Sequence, residues 1–181
     1  MSADDRFRSG FACFVGRPNA GKSTLTNALV GEKVAITSSR PQTTRHAIRG
    51  LVHRENAQLV LVDTPGLHRP RTLLGERLNN LVRATWAEVD TIGMCLPADE
   101  KIGPGDKFLI RELAQLRRRP VFAIATKTDL VSPEKLAKHL ISISAAGEEA
   151  GLQWAQVVPV SAVAGDQVEL LASLLIDTLP P

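Results

Sequence analysis

The chain of 181 residues is 44% hydrophobic and 23% charged, ordinary globular usage that excludes collagen-like, coiled-coil and disordered classes. A net charge of +3 permits a polyanionic partner without arguing for one. Five Phe, two Trp and no Tyr leave little for a stacking platform on single-stranded nucleic acid. Residues 1–8, with two Asp and two Arg, do not read as a signal peptide, and no run approaches the roughly 18 apolar residues of a membrane span. Cys13 and Cys95 each lie inside an apolar run, so they read as buried thiols in a reducing compartment rather than as a disulfide framework.

Periodicity gives strands alternating with helices, the pattern of an α/β domain with a mostly parallel sheet. A short apolar run over 10–15 ends at Gly16. A helix over 23–30 follows, with Leu25, Ala28 and Leu29 on one face and Gly31 as its cap. Residues 32–46 are polar and aperiodic, a loop long enough to be functional. The runs 47–53 and 57–62 flank Glu55-Asn56 as a hairpin, the second ending at Asp63. Leu74, Leu78, Leu81 and Val82 then mark an amphipathic helix. A strand over 89–96 precedes a helix carrying Leu109, Leu113 and Leu116, which Pro120 stops; the arginines at 117, 118 and 119 read as its solvated end. Residues 121–125 form the next buried strand. Ser132 as N-cap and Pro133 at the first position open a helix to about residue 149, whose Leu136, Leu140 and Ile143 face the core. The last strand spans 156–160, and Asp166 with Glu169 forms a capping-box pattern for a helix carrying Leu170, Leu171, Leu174 and Leu175. The end at Pro180-Pro181, directly after that helix, reads as a boundary before a linker.

Gly16-Arg17-Pro18-Asn19-Ala20-Gly21-Lys22-Ser23 has the spacing G-x-x-x-x-G-K-[ST] between a strand and a helix start. Such a turn aims consecutive N–H groups at phosphate oxygens. The helix dipole adds positive potential, Lys22 reaches the terminal phosphates and the Ser23 hydroxyl ligates Mg²⁺. Asp63, delivered at the end of a buried strand, would hold the same Mg²⁺ through water, and Gly66 lets a backbone N–H approach a γ-phosphate. These motifs fit an ATPase as well as a GTPase. The base decides: in Thr126-Lys127-Thr128-Asp129, Asp129 can accept from N1–H and the 2-amino group of guanine, donors that adenine lacks. Ser161-Ala162, after the last strand, places a backbone N–H near the guanine O6. The four histidines have no metal-ligand spacing; His68, just after the Asp63-Thr64-Pro65-Gly66 motif, is the one candidate site residue among them.

In this order, those segments together with Gln42-Thr43-Thr44-Arg45-His46 and Asp63-Thr64-Pro65-Gly66-Leu67-His68 resemble Ras-like P-loop GTPases, most closely the GTPase domain of the Era family of bacterial ribosome-assembly GTPases. The resemblance covers the chain from Arg8 to about Pro181. It implies a three-layer α/β sandwich with a six-stranded, mostly parallel sheet and one antiparallel edge strand, filling 1–181 as a single GTPase domain. The implied ligands are GTP or GDP with Mg²⁺, and K⁺ as a further candidate. The implied binding residues are Gly16 through Thr24, Asp63, Thr64, Pro65, Gly66, Thr126, Lys127, Asp129, Ser161 and Ala162. Ser23, Asp63 and Thr44 (or Thr43) are the metal ligands, and Lys22, Asn19 and Thr44 the catalytic set. The loop 33–46 would be the first switch and 67–75 the second.

Two departures stand out within the motifs: Thr126 replaces the family's usual Asn, and Leu67 replaces the water-orienting Gln of Ras-type enzymes. Leu67 cannot orient water, and the resemblance implies that Asn19 stands where GTPases lacking that Gln can ligate a K⁺ ion between the phosphates. The family continues into an RNA-binding KH domain, of which this chain carries no GxxG helix pair. Contacts with small-subunit ribosomal RNA and the 30S subunit would therefore belong to that domain, and RNA affinity here would be non-specific. A cytoplasmic monomer is expected, with peripheral association at the inner face of the cell membrane left open. The rival readings are a P-loop ATPase and a nucleotide-gated interaction module with negligible turnover.

Overall fold

The computed structural model describes residues 6–31, 48–63, 73–116 and 119–181, with the backbone alone for 73–78. In chain order the elements are β1 (Arg8–Val15), α1 (Lys22–Val30), β2 (Ile48–Arg54), β3 (Ala57–Val62), α2 (Leu73–Glu88), β4 (Thr91–Pro97), α3 (Pro104–Ala114), β5 (Val121–Thr126), α4 (Pro133–Ala150), β6 (Val157–Pro159) and α5 (Val168–Asp177), with a single 3₁₀ turn at Thr128–Leu130. Among the described residues the strands form one six-stranded sheet in the order β2-β3-β1-β4-β5-β6. Every neighbouring pair is parallel except β2 with β3, the hairpin at the edge.

The sheet is buried on both faces, and strand alternation sorts its side chains into two apolar layers. Ala12 and Phe14 of β1, Leu59 and Leu61 of β3, and Phe122 and Ile124 of β5 join Leu25 and Leu29 of α1 and Leu171 and Leu175 of α5. Cys13 and Val15, Ile92 and Met94, and Val121 and Ala123 point the other way, to Val82 and Trp86 of α2, Leu109, Ile110 and Leu113 of α3, and Ile143 of α4. The result is the three-layer sandwich implied by the motifs. The two cysteines fall in opposite layers, both free and fully buried, and burial pushes each thiol up to about 12.

Two local expectations fail for physical reasons. Leu81, expected on the apolar face of α2, is 60% exposed, whereas Val82 of the same expected stripe is buried and Trp86, four residues on, continues it. Asp166 does not cap α5. Gln167 takes the N-cap place in the left-handed region (φ 61°), the Asp166 carbonyl accepts from Ser161 N–H (3.1 Å), and Glu169 accepts instead from Arg54 of β2 (3.0 Å). The Ser132 cap forms as expected, its hydroxyl accepting from Lys135 N–H (3.2 Å).

Candidate nucleotide site

Parallel strands deliver their C-terminal ends to one edge of the sheet, where open α/β folds bind ligands. β1 ends at Val15, β3 at Val62 and β5 at Thr126, and the loops that follow them carry the three motifs. The β1–α1 turn is tight because its backbone enters the left-handed region twice, at Asn19 (φ 66°) and Gly21 (φ 98°). Gly16 is required by contact: a Cβ there would lie 3.0 Å from Cys95 O and 3.1 Å from the Ala20 side chain. Gly21 then serves as N-cap of α1, opening the helix at Lys22 with its first N–H groups unpaired by side chains.

Three side chains brace this turn. The Thr126 hydroxyl, 4% exposed as a residue, donates to Ala20 O (2.6 Å). Lys127, itself in the left-handed region (φ 60°), donates from Nζ to Asn19 O (2.7 Å). Arg17 turns away from the cavity, donating from Nε to Asp106 Oδ1 (2.8 Å) and from a terminal nitrogen to Glu100 (2.8 Å). Asp106, almost fully buried, also accepts from Gly103 N–H (3.1 Å) at the start of α3. Its hydrogen bond raises the Arg17 guanidinium above its usual range. Arg17 therefore offers a ligand its backbone, with its side chain spent on α3.

Two cavities meet across Gly21. One, of about 260 Å³, is lined by Asn19, Gly21, Lys22, Ser23, Thr24 and Lys127. Lys22 donates from Nζ to Gly16 O (2.6 Å), and burial holds its ammonium below the usual range, opposed by the Asp63 carboxylate. Ser23 is exposed toward this space. The other cavity, of about 220 Å³, has Thr126, Lys127, Asp129 and Ala162 in its wall, with Leu130 and Val163 beside them. Leu130 and Val163 are 59% and 81% exposed, unusual for side chains of their type, and they flank the space as two apolar walls. Ser161, fully buried, donates from Oγ to Asp129 Oδ1 (2.8 Å) and accepts from Ala164 N–H (3.1 Å). Asp129 is thereby aimed, with Oδ2 left as acceptor.

At the far side Asp63 ends β3, ion-paired with Arg49 of β2 (2.7 Å). Motif reading identified Asp63 but missed Arg49, Asp106, Leu130 and Val163. For the last two a signal existed, an apolar residue just after Asp129 and just after Ala162. Gln42, Thr43, Thr44, Arg45 and His46, and Thr64, Pro65, Gly66, Leu67 and His68, lie outside the described residues, as do the first switch loop and residues 67–72 of the second, whose last three residues open α2.

A G-x-x-x-x-G-K-S turn after β1, a carboxylate after β3 and a second carboxylate after β5, on this strand order, define a P-loop GTPase domain. A family model for 50S ribosome-binding GTPases matches residues 11–127, and the chain belongs to that family. It is 69% identical over 178 residues to GTPase Era of Streptomyces coelicolor, covering 98% of this chain and 56% of that protein. GTPase Era of Mycolicibacterium smegmatis is 60% identical over 176 residues, covering 97% and 58%. Among solved structures, a variant of Aquifex aeolicus Era bound to GDP·AlF4⁻ aligns with TM-score 0.77 and 28% identity, covering 97% of this chain and 58% of that one. Era in complex with MgGDPNP and nucleotides 1506–1542 of 16S ribosomal RNA aligns with TM-score 0.78 and 29% identity, with the same coverage. The chain thus spans little more than half the length of these relatives.

Proposed function

We propose that residues 1–181 bind GTP and GDP with Mg²⁺, hydrolyse GTP slowly, and act as the nucleotide-sensing part of an Era-type protein that works in small-subunit assembly. The observation that carries this reading is the aimed carboxylate of Asp129. Guanine presents two adjacent donors, and a carboxylate fixed at Oδ1 by Ser161 has an acceptor for each. The Ser161 N–H is committed to Asp166 O, so the amide offered to the guanine O6 is that of Ala162. Leu130 and Val163 cover the faces of the base and exclude water from those hydrogen bonds.

On the phosphate side, the N–H groups of Asn19 and of Gly21 through Thr24 at the start of α1 hold the phosphates, Pro18 having none and the Ala20 N–H being committed to Arg17 O. Lys22 exchanges its bond to Gly16 O for the terminal phosphate oxygens, a charge-assisted replacement for a neutral one. The donors Ser23 Oγ and Asp63 are hard oxygens, and the Asp63 charge is felt at Lys22, a set that suits Mg²⁺ completed by nucleotide phosphates. When bound, Mg²⁺ neutralises charge that develops on the phosphate oxygens. Thr44 (or Thr43) and the amide of Gly66 complete this set in the proposed mechanism, with Thr64 and Pro65 setting the turn. Asn19, in the wall of the phosphate cavity, is the proposed ligand of a K⁺ ion that takes the place of an arginine finger. The relatives named GTPase Era, one of them solved with 16S ribosomal RNA, support a cytoplasmic role at the small subunit, with RNA contacts made outside 1–181.

Competition titration tests the base reading. GDP and GTP should displace a labelled guanine nucleotide, and ATP should not. Asp129→Asn, which turns an acceptor into a donor, should shift preference toward xanthosine nucleotides. ATP binding within tenfold of GTP would overturn the assignment.

A further inference from the structure

Arg49 occupies the extra position of a bulge. β2 pairs with β3 as Ile48 with Val62 and then Gly50 with Leu61, so one residue of β2 has no partner across the ladder. Regular alternation would have kept residue 49 in step with its neighbours; a bulge bends the strand and re-aims the side chain. Here it sends a guanidinium to Asp63, with 2.7 Å between a terminal nitrogen and Oδ2. Both groups stay partly open to solvent, at 57% and 43% exposure, so the pair can separate without a large desolvation cost.

The carboxylate held in this way is the one assigned to Mg²⁺ in the reading above, on which the present inference rests. We infer that Arg49 is a cationic latch on Asp63 that competes with Mg²⁺ for the carboxylate, so that metal loading requires the guanidinium to let go. A guanidinium hydrogen-bonded to Oδ2 occupies one of the lone pairs that a metal-bound water could use, and its charge repels a dication at the same carboxylate. Among the described residues Lys22 is a second cation that feels the Asp63 charge, and in the proposed function it moves onto phosphate when nucleotide arrives. Arg49 has no such second acceptor within the described site. Arg49 is a positioning residue, acting through Asp63.

The test uses the full chain and a fluorescent GDP. Affinity is measured first in excess chelator, then across a Mg²⁺ titration, for wild type, Arg49→Gln and Arg49→Lys. Loss of an exposed ion pair of this kind predicts a half-saturating Mg²⁺ concentration about two- to fivefold lower in Arg49→Gln. Arg49→Lys, which keeps the charge, should stay within about twofold of wild type, and raising ionic strength should narrow the gap between the Gln variant and wild type. An unchanged or weaker Mg²⁺ response in Arg49→Gln, or a Lys variant that behaves like the Gln variant, overturns the latch. A wild-type chain that fails to bind GDP at any Mg²⁺ concentration would instead overturn the nucleotide reading.

Discussion

The brace between Arg17 and Asp106 makes an asymmetric prediction, because the two partners differ in burial. The Asp106 side chain is 2% exposed and that of Arg17 is 36% exposed. Arg17→Ala leaves a buried carboxylate with the Gly103 N–H as its donor among the described residues, and an orphaned buried charge costs about 3 kcal/mol or more. Asp106→Ala removes that charge and the cap of α3, a loss of about 1–2 kcal/mol, while the freed guanidinium turns to solvent. At about 2–4 °C per kcal/mol for a domain of this size, Arg17→Ala should lower Tm by about 6–12 °C and Asp106→Ala by about 2–8 °C. The double variant should be more stable than Arg17→Ala alone, since the stranded charge is gone. Calorimetry measures all three, and the buried Trp86 gives an independent fluorescence signal. An Arg17→Ala variant no less stable than Asp106→Ala would refute the reasoning.

Thr126→Val should strand the Ala20 carbonyl, at about 1–3 kcal/mol, and weaken GDP binding while ATP stays excluded, because selectivity rests on Asp129; competition titration reads both. If Asn19 ligates K⁺, single-turnover GTP hydrolysis should be faster in K⁺ than in Na⁺, and Asn19→Ala should erase the difference. Cys13 and Cys95 should resist alkylation at pH 8 until the chain unfolds, as mass spectrometry would record. Each thiol titrates near 9 when free and about 12 when folded, so the unfolded chain releases protons that the native chain keeps. Their contribution to stability is therefore complete below pH 9 and is lost as pH rises toward 12, which denaturant midpoints across that range would follow.

The sheet was legible because its central strands are buried on both faces and so appear as unbroken apolar runs, as at Ile92, Met94 and Cys95 or at Val121 through Ala125. The phosphate loop and the Thr126–Asp129 segment were legible because their chemistry demands fixed residue types at fixed spacing. What escaped was set by tertiary geometry. Residue 17 is a free position in the motif, and nothing in the spacing says that its guanidinium will seek Asp106, 89 positions away. A bulge leaves no mark in a period-two pattern, so Arg49 could not be placed against Asp63. The Asp166 capping pattern matches sequence rules, yet the β6–α5 turn puts Gln167 in the left-handed region and uses the Asp166 carbonyl to hold Ser161.

That last exchange bears on why the base loop can be selective at all. An exposed aspartate gains little from a hydrogen bond to a ligand if it must first be ordered. Asp129 is exposed, but its partner is not: Ser161 is fully buried, its N–H bonded to Asp166 O and its Oγ shared between Asp129 and Ala164 N–H. The ordering cost is thus met within the fold, by a turn that gives up a helix cap to make the serine rigid. On the other side Thr126 and Lys127 tie the same segment to Ala20 and Asn19 of the phosphate loop, so base and phosphate subsites are held at a fixed separation. A ligand that satisfies one subsite finds the other already in place, and a nucleotide with the wrong base leaves a pre-aimed carboxylate unpaired.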